Sequence, residues 1–175
     1  LFDVHFVDTL NGFIASRNIL YKTSDGGNSW KEIDCVKPRN QGAKFQFPTR
    51  QTGYIFDRDA TVYKSEDSGE SWFKLNPERG GKANDIFFIN ADTGYIALRS
   101  SHLLRTEDGG ITWKDTLVPS GLEGILNVQF LNDTVGFLLG DNDFIRRINL
   151  NQKWDTLDIP LNANFSPRAM WFEDE

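Results

Sequence analysis

A single cysteine, Cys35, leaves the chain with no internal disulfide. His5 and His102 are its whole supply of imidazole. A catalytic thiol needs a base and an orienting group beside it. For Cys35 only those two imidazoles are available, and it reads as a small residue close to a strand end. No apolar run approaches the length of a transmembrane helix. No signal or transit segment is visible at Leu1. Excess positive charge is also missing: the formal balance of −6 argues against a general nucleic-acid binder. Scarcity of cysteine is compatible with the cytoplasm and with many exported bacterial proteins. Helical spacing is nowhere sustained.

What the chain holds instead is aromatic residues, 13% of the total with fourteen Phe and five Trp. That composition suits a sheet-rich core. They recur in a fixed frame. Thr23-Ser24-Asp25-Gly26-Gly27-Asn28-Ser29-Trp30 returns as Ser65-Glu66-Asp67-Ser68-Gly69-Glu70-Ser71-Trp72, and again as Thr106-Glu107-Asp108-Gly109-Gly110-Ile111-Thr112-Trp113. In this frame the Asp carboxylate accepts hydrogen bonds from backbone N–H groups. The Gly supplies a backbone angle that other residues reach with strain. The Trp is expected to open the next strand by burying its ring.

Other markers keep the same period. Phe6, Phe47, Phe88, Phe130 and Phe172 follow one another at steps of 41, 41, 42 and 42. A Gly-aromatic pair follows the first four, at Gly12-Phe13, Gly53-Tyr54, Gly94-Tyr95 and Gly136-Phe137. Each copy reads as four short strands; in the first they are about 3–7, 12–16, 19–23 and 29–33. A four-stranded unit of roughly 40 residues, repeated, is the signature of a β-propeller blade. The fold class is therefore all-β: a propeller of four-stranded antiparallel blades. Residues 1–175 read as one such domain or a fragment of one, with blades at about 1–37, 42–78, 83–119 and 125–160. The fourth box, Arg147 to Trp154, has Asn149 for the Asp and Asn151 for the Gly. Arg168–Glu175 looks like the first strand of a fifth copy. The expectation is part of a six- to eight-bladed propeller, with open blade faces covered by self-association, by another chain or by further sequence.

The boxes resemble the Asp-box, or BNR repeat. With their regular spacing and the Gly-aromatic step before each, they look most like the photosystem II stability/assembly-factor family. Sialidases, xyloglucanases and sortilin receptors carry similar boxes, so the box implies a fold and not an activity. In those families the boxes lie away from the catalytic or ligand-binding face. By that resemblance Asp25, Gly27 and Trp30, Asp67, Gly69 and Trp72, and Asp108, Gly110 and Trp113 are structural. No metal site and no cofactor is expected.

Binding is expected on the face opposite the boxes. There Arg17, Arg58 and Arg99 each follow the Gly of the Gly-aromatic pair by five residues and would form an arc. Arg39, Arg79 and Arg168, on the links between blades, would enlarge it; Asp141 breaks it in the fourth copy. Fixed guanidinium groups suit carboxylate or phosphate partners. The plainer alternative is that each Arg pairs with a local acid such as Asp57 or Asp59. The first functional expectation is a non-enzymatic protein-binding scaffold, exported by a bacterium, that takes a protein or an acidic peptide. The alternative is a glycan-active or glycan-binding propeller. A glycosidase needs two opposed carboxylates, for which Glu123 with Asp141 or Asp143 are the candidates. Tyr21, Tyr54, Tyr63 and Tyr95 fall at strand positions where packing explains them, and His5 shares its position with Gln46, Phe87, Gln129 and Trp171.

Overall fold

The structure, a computed structural model, describes residues 3–16, 19–34, 43–57, 59–75, 81–116, 124–132, 134–140 and 145–149. Its strands are β1 (Asp3–Phe6), β2 (Gly12–Ser16), β3 (Ile19–Thr23) and β4 (Lys31–Glu32); β5 (Lys44–Gln46), β6 (Gly53–Phe56), β7 (Val62–Ser65) and β8 (Phe73–Leu75); β9 (Ala83–Phe88), β10 (Gly94–Leu98), β11 (Leu103–Thr106) and β12 (Lys114–Thr116); and β13 (Ile125–Phe130), β14 (Val135–Gly140) and β15 (Ile145–Asn149). Each group is one antiparallel sheet in which neighbours in sequence are neighbours in space. The fourth sheet shows three strands among the described residues. Trp154 and Arg168–Glu175 lie outside them.

The first strands of successive sheets, β1 with β5 and β9 with β13, approach one another across the sheet-to-sheet joints. This places them innermost, at the axis about which the blades are arranged.

Three apolar clusters fill the three joints. Phe13, Ala15 and Leu20 of the first sheet pack on Ala43, Phe45, Ile55 and Trp72 of the second. Tyr54, Phe56 and Val62 pack on Ile86, Phe88 and Ile96 of the third. Tyr95, Ala97 and Leu103 pack on Ile125, Val128 and Phe130 of the fourth. At about 1.5–3 kcal/mol for each fully buried large apolar side chain, the joints and not the single blades hold most of the stability.

One contact recurs at every joint. The ring of the Gly-aromatic pair stacks on the repeat Phe of the next sheet: Phe13 on Phe47 at 4.7 Å, Tyr54 on Phe88 at 3.5 Å and Tyr95 on Phe130 at 4.4 Å between centroids. The underside of that Phe lies on the glycine of its own sheet. A Cβ on Gly53 would stand 2.3 Å from the Phe47 ring, and one on Gly94 would stand 2.5 Å from Phe88. The repeat Phe also meets the box Trp of its own sheet edge to face, as Phe47 does with Trp72 and Phe88 with Trp113, both at 6.0 Å.

Two local expectations are corrected. Trp30, Trp72 and Trp113 do not open strands; β4, β8 and β12 each begin one residue later. Each indole folds back over its turn because its Nε1–H donates to the box glycine carbonyl, as Trp30 does to Gly27 at 3.1 Å. Only Trp72 is fully buried; Trp30 and Trp113 are partly so. The first strand ends at Phe6, since the Val7 N–H turns to the Asn11 carbonyl at 2.9 Å.

Candidate functional site

The two ends of the blades differ in chemistry. At one end the box turns are closed from within. Asp25 Oδ1 accepts from Ser29 N at 2.9 Å and from the Thr23 hydroxyl at 2.7 Å, and Asp25 Oδ2 accepts from the Ser29 hydroxyl at 2.6 Å. Asp67 and Asp108 repeat the pattern with Ser71 and Ser65, and with Thr112 and Thr106. Gly27, Gly69 and Gly110 carry φ of +91°, +79° and +90°, the left-handed region that glycine enters without strain. Hydrogen bonds from Ser29 and Thr23 hold the Asp25 carboxyl at about 2. Asp108 sits at about 2 through Thr112 and then Thr106. At Asp67 desolvation pushes upward, but the bonds from Ser71 and Ser65 outweigh it and the value is again about 2. Each box also receives the preceding turn of its blade, with Gly26 N on the Leu10 carbonyl at 2.9 Å and Gly109 N on Asp92 at 2.8 Å. These carboxylates spend their lone pairs on their own turns. Among the described residues no group of three or more His, Cys, Asp or Glu side chains could hold a metal ion.

A second set of residues at this end was not singled out from the sequence. Opposite each Gly-aromatic ring, on the next strand, stands a base: Phe13 with Lys22, Tyr54 with Lys64, Tyr95 with Arg105 and Phe137 with Arg147. Each of the first three leans over its ring, at 5.7, 6.0 and 5.9 Å from the centroid. Lys22 continues into the next box, donating to the Ser68 carbonyl at 3.0 Å and pairing with Glu70. The period was visible in the sequence; the partner, one blade further on, was not. Beside these bases lie two clefts of about 440 and 370 Å³ at equivalent repeat positions. Lys22, Lys31 and Glu32 line one; Arg105, Lys114 and Asp115 line the other. Acids and bases alternate along both, so neither selects one sign of charge.

The arginine arc expected at the other end is described at one position only. Of its members, Arg99 is described; Arg17, Arg58, Arg39, Arg79 and Arg168 lie outside the described residues, as do Glu123, Asp141 and Asp143. Arg99 sits just beyond β10, at the end remote from the box, since Gly94 and not Ala97 pairs with Thr106. Its backbone N–H donates to the Lys82 carbonyl at 2.9 Å, and its Nε donates to Asn84 Oδ1 at 3.1 Å. Asn84 is itself held by donating to the Ile125 carbonyl of the next sheet at 2.8 Å. The guanidinium is thus oriented by a side chain anchored across a joint. Ser101, at φ +61°, tightens the turn, and its hydroxyl accepts from Gly124 N at 2.9 Å. Lys82 brings further positive charge to this end, whereas the Lys44 ammonium faces Asp85 at 3.2 Å. Neither belongs to a repeating basic position, so the sequence carried no signal for them.

The acids near this end have local duties. Asp57 is buried and its Oδ1 accepts from Asp59 N and Thr61 N, both at 3.0 Å. His102 Nδ1 lies 2.9 Å from an Asp115 oxygen. Asp85 is buried between sheets, where loss of solvent raises its pKa against the opposing pull of Lys44.

Residues 1–80 match the family model of the photosynthesis system II assembly factor YCF48. No curated protein is significantly similar in sequence to the chain. Among solved structures, YCF48 bound to D1 peptide is 19% identical with a TM-score of 0.66, over 90% of this chain and 54% of that one. YCF48 from Cyanidioschyzon merolae is 16% identical with a TM-score of 0.68, over 92% and 56%. An ancestral GH74 enzyme is 15% identical with a TM-score of 0.73, over 89% of this chain and 25% of that one. The chain thus spans about half the length of the YCF48 structures it matches. At these identities the structures speak for the fold. The chain is a run of antiparallel sheets of β-propeller type, and its residues 1–80 are similar to the photosynthesis system II assembly factor family.

Proposed function

We propose that the chain is a non-enzymatic protein-binding propeller, working outside the cytoplasm of a bacterium, that takes an acidic or C-terminal peptide on the face opposite the boxes. The observation that carries this reading is the anchored Arg99: its Nε is held by Asn84, and Asn84 is fixed to the next sheet. A guanidinium oriented in this way suits a carboxylate, for which a planar pair of donors is the matching shape. Arg17 and Arg58 share its repeat position. Lys82 adds charge of the same sign. A related fold is known with a peptide bound, in the structure of YCF48 bound to D1 peptide.

The test is fluorescence anisotropy with a labelled acidic peptide bearing a free C-terminus, against the same peptide amidated. The triple variant Arg17→Ala, Arg58→Ala, Arg99→Ala should weaken binding at least about tenfold, the loss of a charge-assisted contact. Unchanged affinity in the triple variant sinks the reading.

The GH74 neighbour favours glycan chemistry as the second reading. Its candidates are Glu123 with Asp141 or Asp143. Release of reducing ends from a soluble β-glucan, abolished in Glu123→Gln, would install it in place of the first.

A further inference from the structure

The joint between the second and third blades carries an exposed apolar pair where the first joint carries charged residues. Phe73 and Ile111 are 45% and 68% exposed, although the two blades of that joint are packed together. In the repeat, Phe73 stands where Lys31 and Lys114 stand, one residue after the box Trp. Ile111 stands where Asn28 and Glu70 stand, two residues before it. At the first joint Lys31 and Glu70 line one cleft, and Phe73 and Ile111 are their counterparts at the second. Cross-strand neighbours Tyr54, Lys64 and Phe73 form one row over β6, β7 and β8. That row faces the box of the third blade. The Tyr54 hydroxyl lies 3.2 Å from the Gly109 carbonyl, and a Cβ on Gly109 would stand 2.6 Å from Lys64 Nζ. Leu75, two residues beyond Phe73 and so on the same side of β8, would stand 2.8 Å from a Cβ on Gly110, directly before Ile111. Phe73 and Ile111 thus flank the outer mouth of the joint.

The outermost strands of the first and third blades present polar and charged residues alone, Lys31–Glu32 and Lys114–Thr116. Charge of this kind keeps a sheet edge from pairing with other chains. β8 departs from it with Phe73. The charge beside Phe73 is negative. Burial raises the Tyr54 pKa, and the carboxylates of Asp92, Glu66 and Asp108 raise it further, so all three lie within electrostatic reach of the row. Lys64, the base inside the row, is 9% exposed and already paired with Glu66, whose own side chain is 62% exposed. We propose that Phe73 and Ile111 form a docking surface for an extended segment of a partner protein, one whose facing side carries an apolar residue between two lysines or arginines. The segment runs along β8, as extended peptides do on sheet edges. Its apolar side chain covers Phe73 and Ile111, and its bases meet Glu66 and Asp92. This surface lies at the box end, and the inference is independent of the reading given for the opposite face.

The first joint supplies the control. Phe73→Lys combined with Ile111→Glu installs the residue types of Lys31 and Glu70 and leaves the net charge unchanged. The probe is a labelled peptide, Thr-Lys-Thr-Leu-Thr-Lys-Thr, capped at both ends, followed by fluorescence anisotropy. It should bind the parent saturably, and the same peptide with glutamate for lysine should bind at least about tenfold more weakly. The double variant should keep its thermal midpoint within about 4 °C of the parent and lose the basic peptide at least about tenfold. Ile111→Asn, which installs the residue type of Asn28 at an exposed turn position, should weaken binding in the same direction and keeps the test decisive if the double variant unfolds. No saturable binding to the parent, equal affinity for the two peptides, or equal affinity of parent and variants overturns the proposal. So does a parent that light scattering shows to be a dimer and that the double variant makes monomeric; the apolar pair would then belong to an interface between two copies.

Discussion

Lys44 Nζ of the second sheet stands 3.2 Å from the carboxylate of Asp85 in the third. The other oxygen of Asp85 accepts from Asn127 Nδ2 at 2.5 Å and from Val128 N at 3.1 Å, both in the fourth. One buried carboxylate therefore ties three blades together at the axis.

Asp85→Ala leaves the Val128 N–H and the Asn127 amide without their acceptor, at about 1–3 kcal/mol for each buried donor. Asp85→Asn should be far milder. Its Oδ1 still receives Val128 N. The same oxygen can still receive Asn127 Nδ2, while the new amide replaces the oxygen that faces Lys44. Burial raises the folded pKa of Asp85 above its unfolded value. Its contribution is therefore full below the unfolded carboxyl pKa and falls as pH rises through the folded one. The thermal midpoint of Asp85→Asn relative to the native chain should rise from pH 3 to pH 7. A flat or falling difference contradicts this account.

The box carboxylates respond in the opposite sense. Asp25, Asp67 and Asp108 titrate at about 2. Their contribution is complete above the unfolded value near 3.8 and is lost as pH falls from there towards 2. Carboxyl NMR titration should find all three near 2. Ser71→Ala removes a hydroxyl donor, so it should move Asp67 upward and leave Asp25 and Asp108 where they are.

Gly53→Ala and Gly94→Ala should each cost about 1–3 kcal/mol, because the Phe47 and Phe88 rings are held from the other side by Phe13 and Tyr54 and cannot retreat. Gly12→Ala makes a similar clash with Phe6, but that ring is half exposed and free to swing away. Denaturant unfolding should rank Gly12→Ala clearly mildest; equal losses at the three glycines would contradict the stacked-ring account.

Tyr54→Phe keeps the stack on Phe88 and removes a hydroxyl that lies 2.8 Å from the Ala91 carbonyl and 3.2 Å from that of Gly109. The expected loss is about 1 kcal/mol. Phe13 holds the same position in the first blade without a hydroxyl, and the Ser68 carbonyl there already accepts from Lys22 Nζ at 3.0 Å, so Phe13→Tyr should bring no matching gain. Thermal unfolding of the two variants side by side reads the difference.

Legibility follows the distance over which a contact acts. The box turn closes within five residues, from Asp25 to Ser29, so residue types and spacing are enough to describe its bonds. Strand order is legible for the same reason, since every sheet pairs neighbours in sequence. The tryptophans were misread as strand openers because the bond that turns the indole back depends on the folded geometry of the glycine carbonyl. The bases Lys22, Lys64 and Arg105 repeat as clearly as the boxes do, yet their meaning needs the neighbouring blade. Arg99 was readable as an exposed base. Its anchoring by Asn84, and of Asn84 by Ile125 41 residues away, was not.

By itself the sequence determined a repeating four-stranded unit, because a β-blade is built from local turns and alternating side chains, and both are written into short stretches of chain. Only the tertiary structure decided what lies between the units. The positions of Asp3, Lys44, Asp85 and Asn127 are equivalent in the repeat but differ in residue type; Asp3 accepts from Phe45 N as Asp85 does from Val128 N, and nothing in the pattern announces that Asp85 would also gather an ammonium and an amide from the blades on either side. Nor does the sequence distinguish Phe6 from Phe130. They are the same residue at the same phase, and one is covered while the other is open because a neighbouring blade packs on one of them.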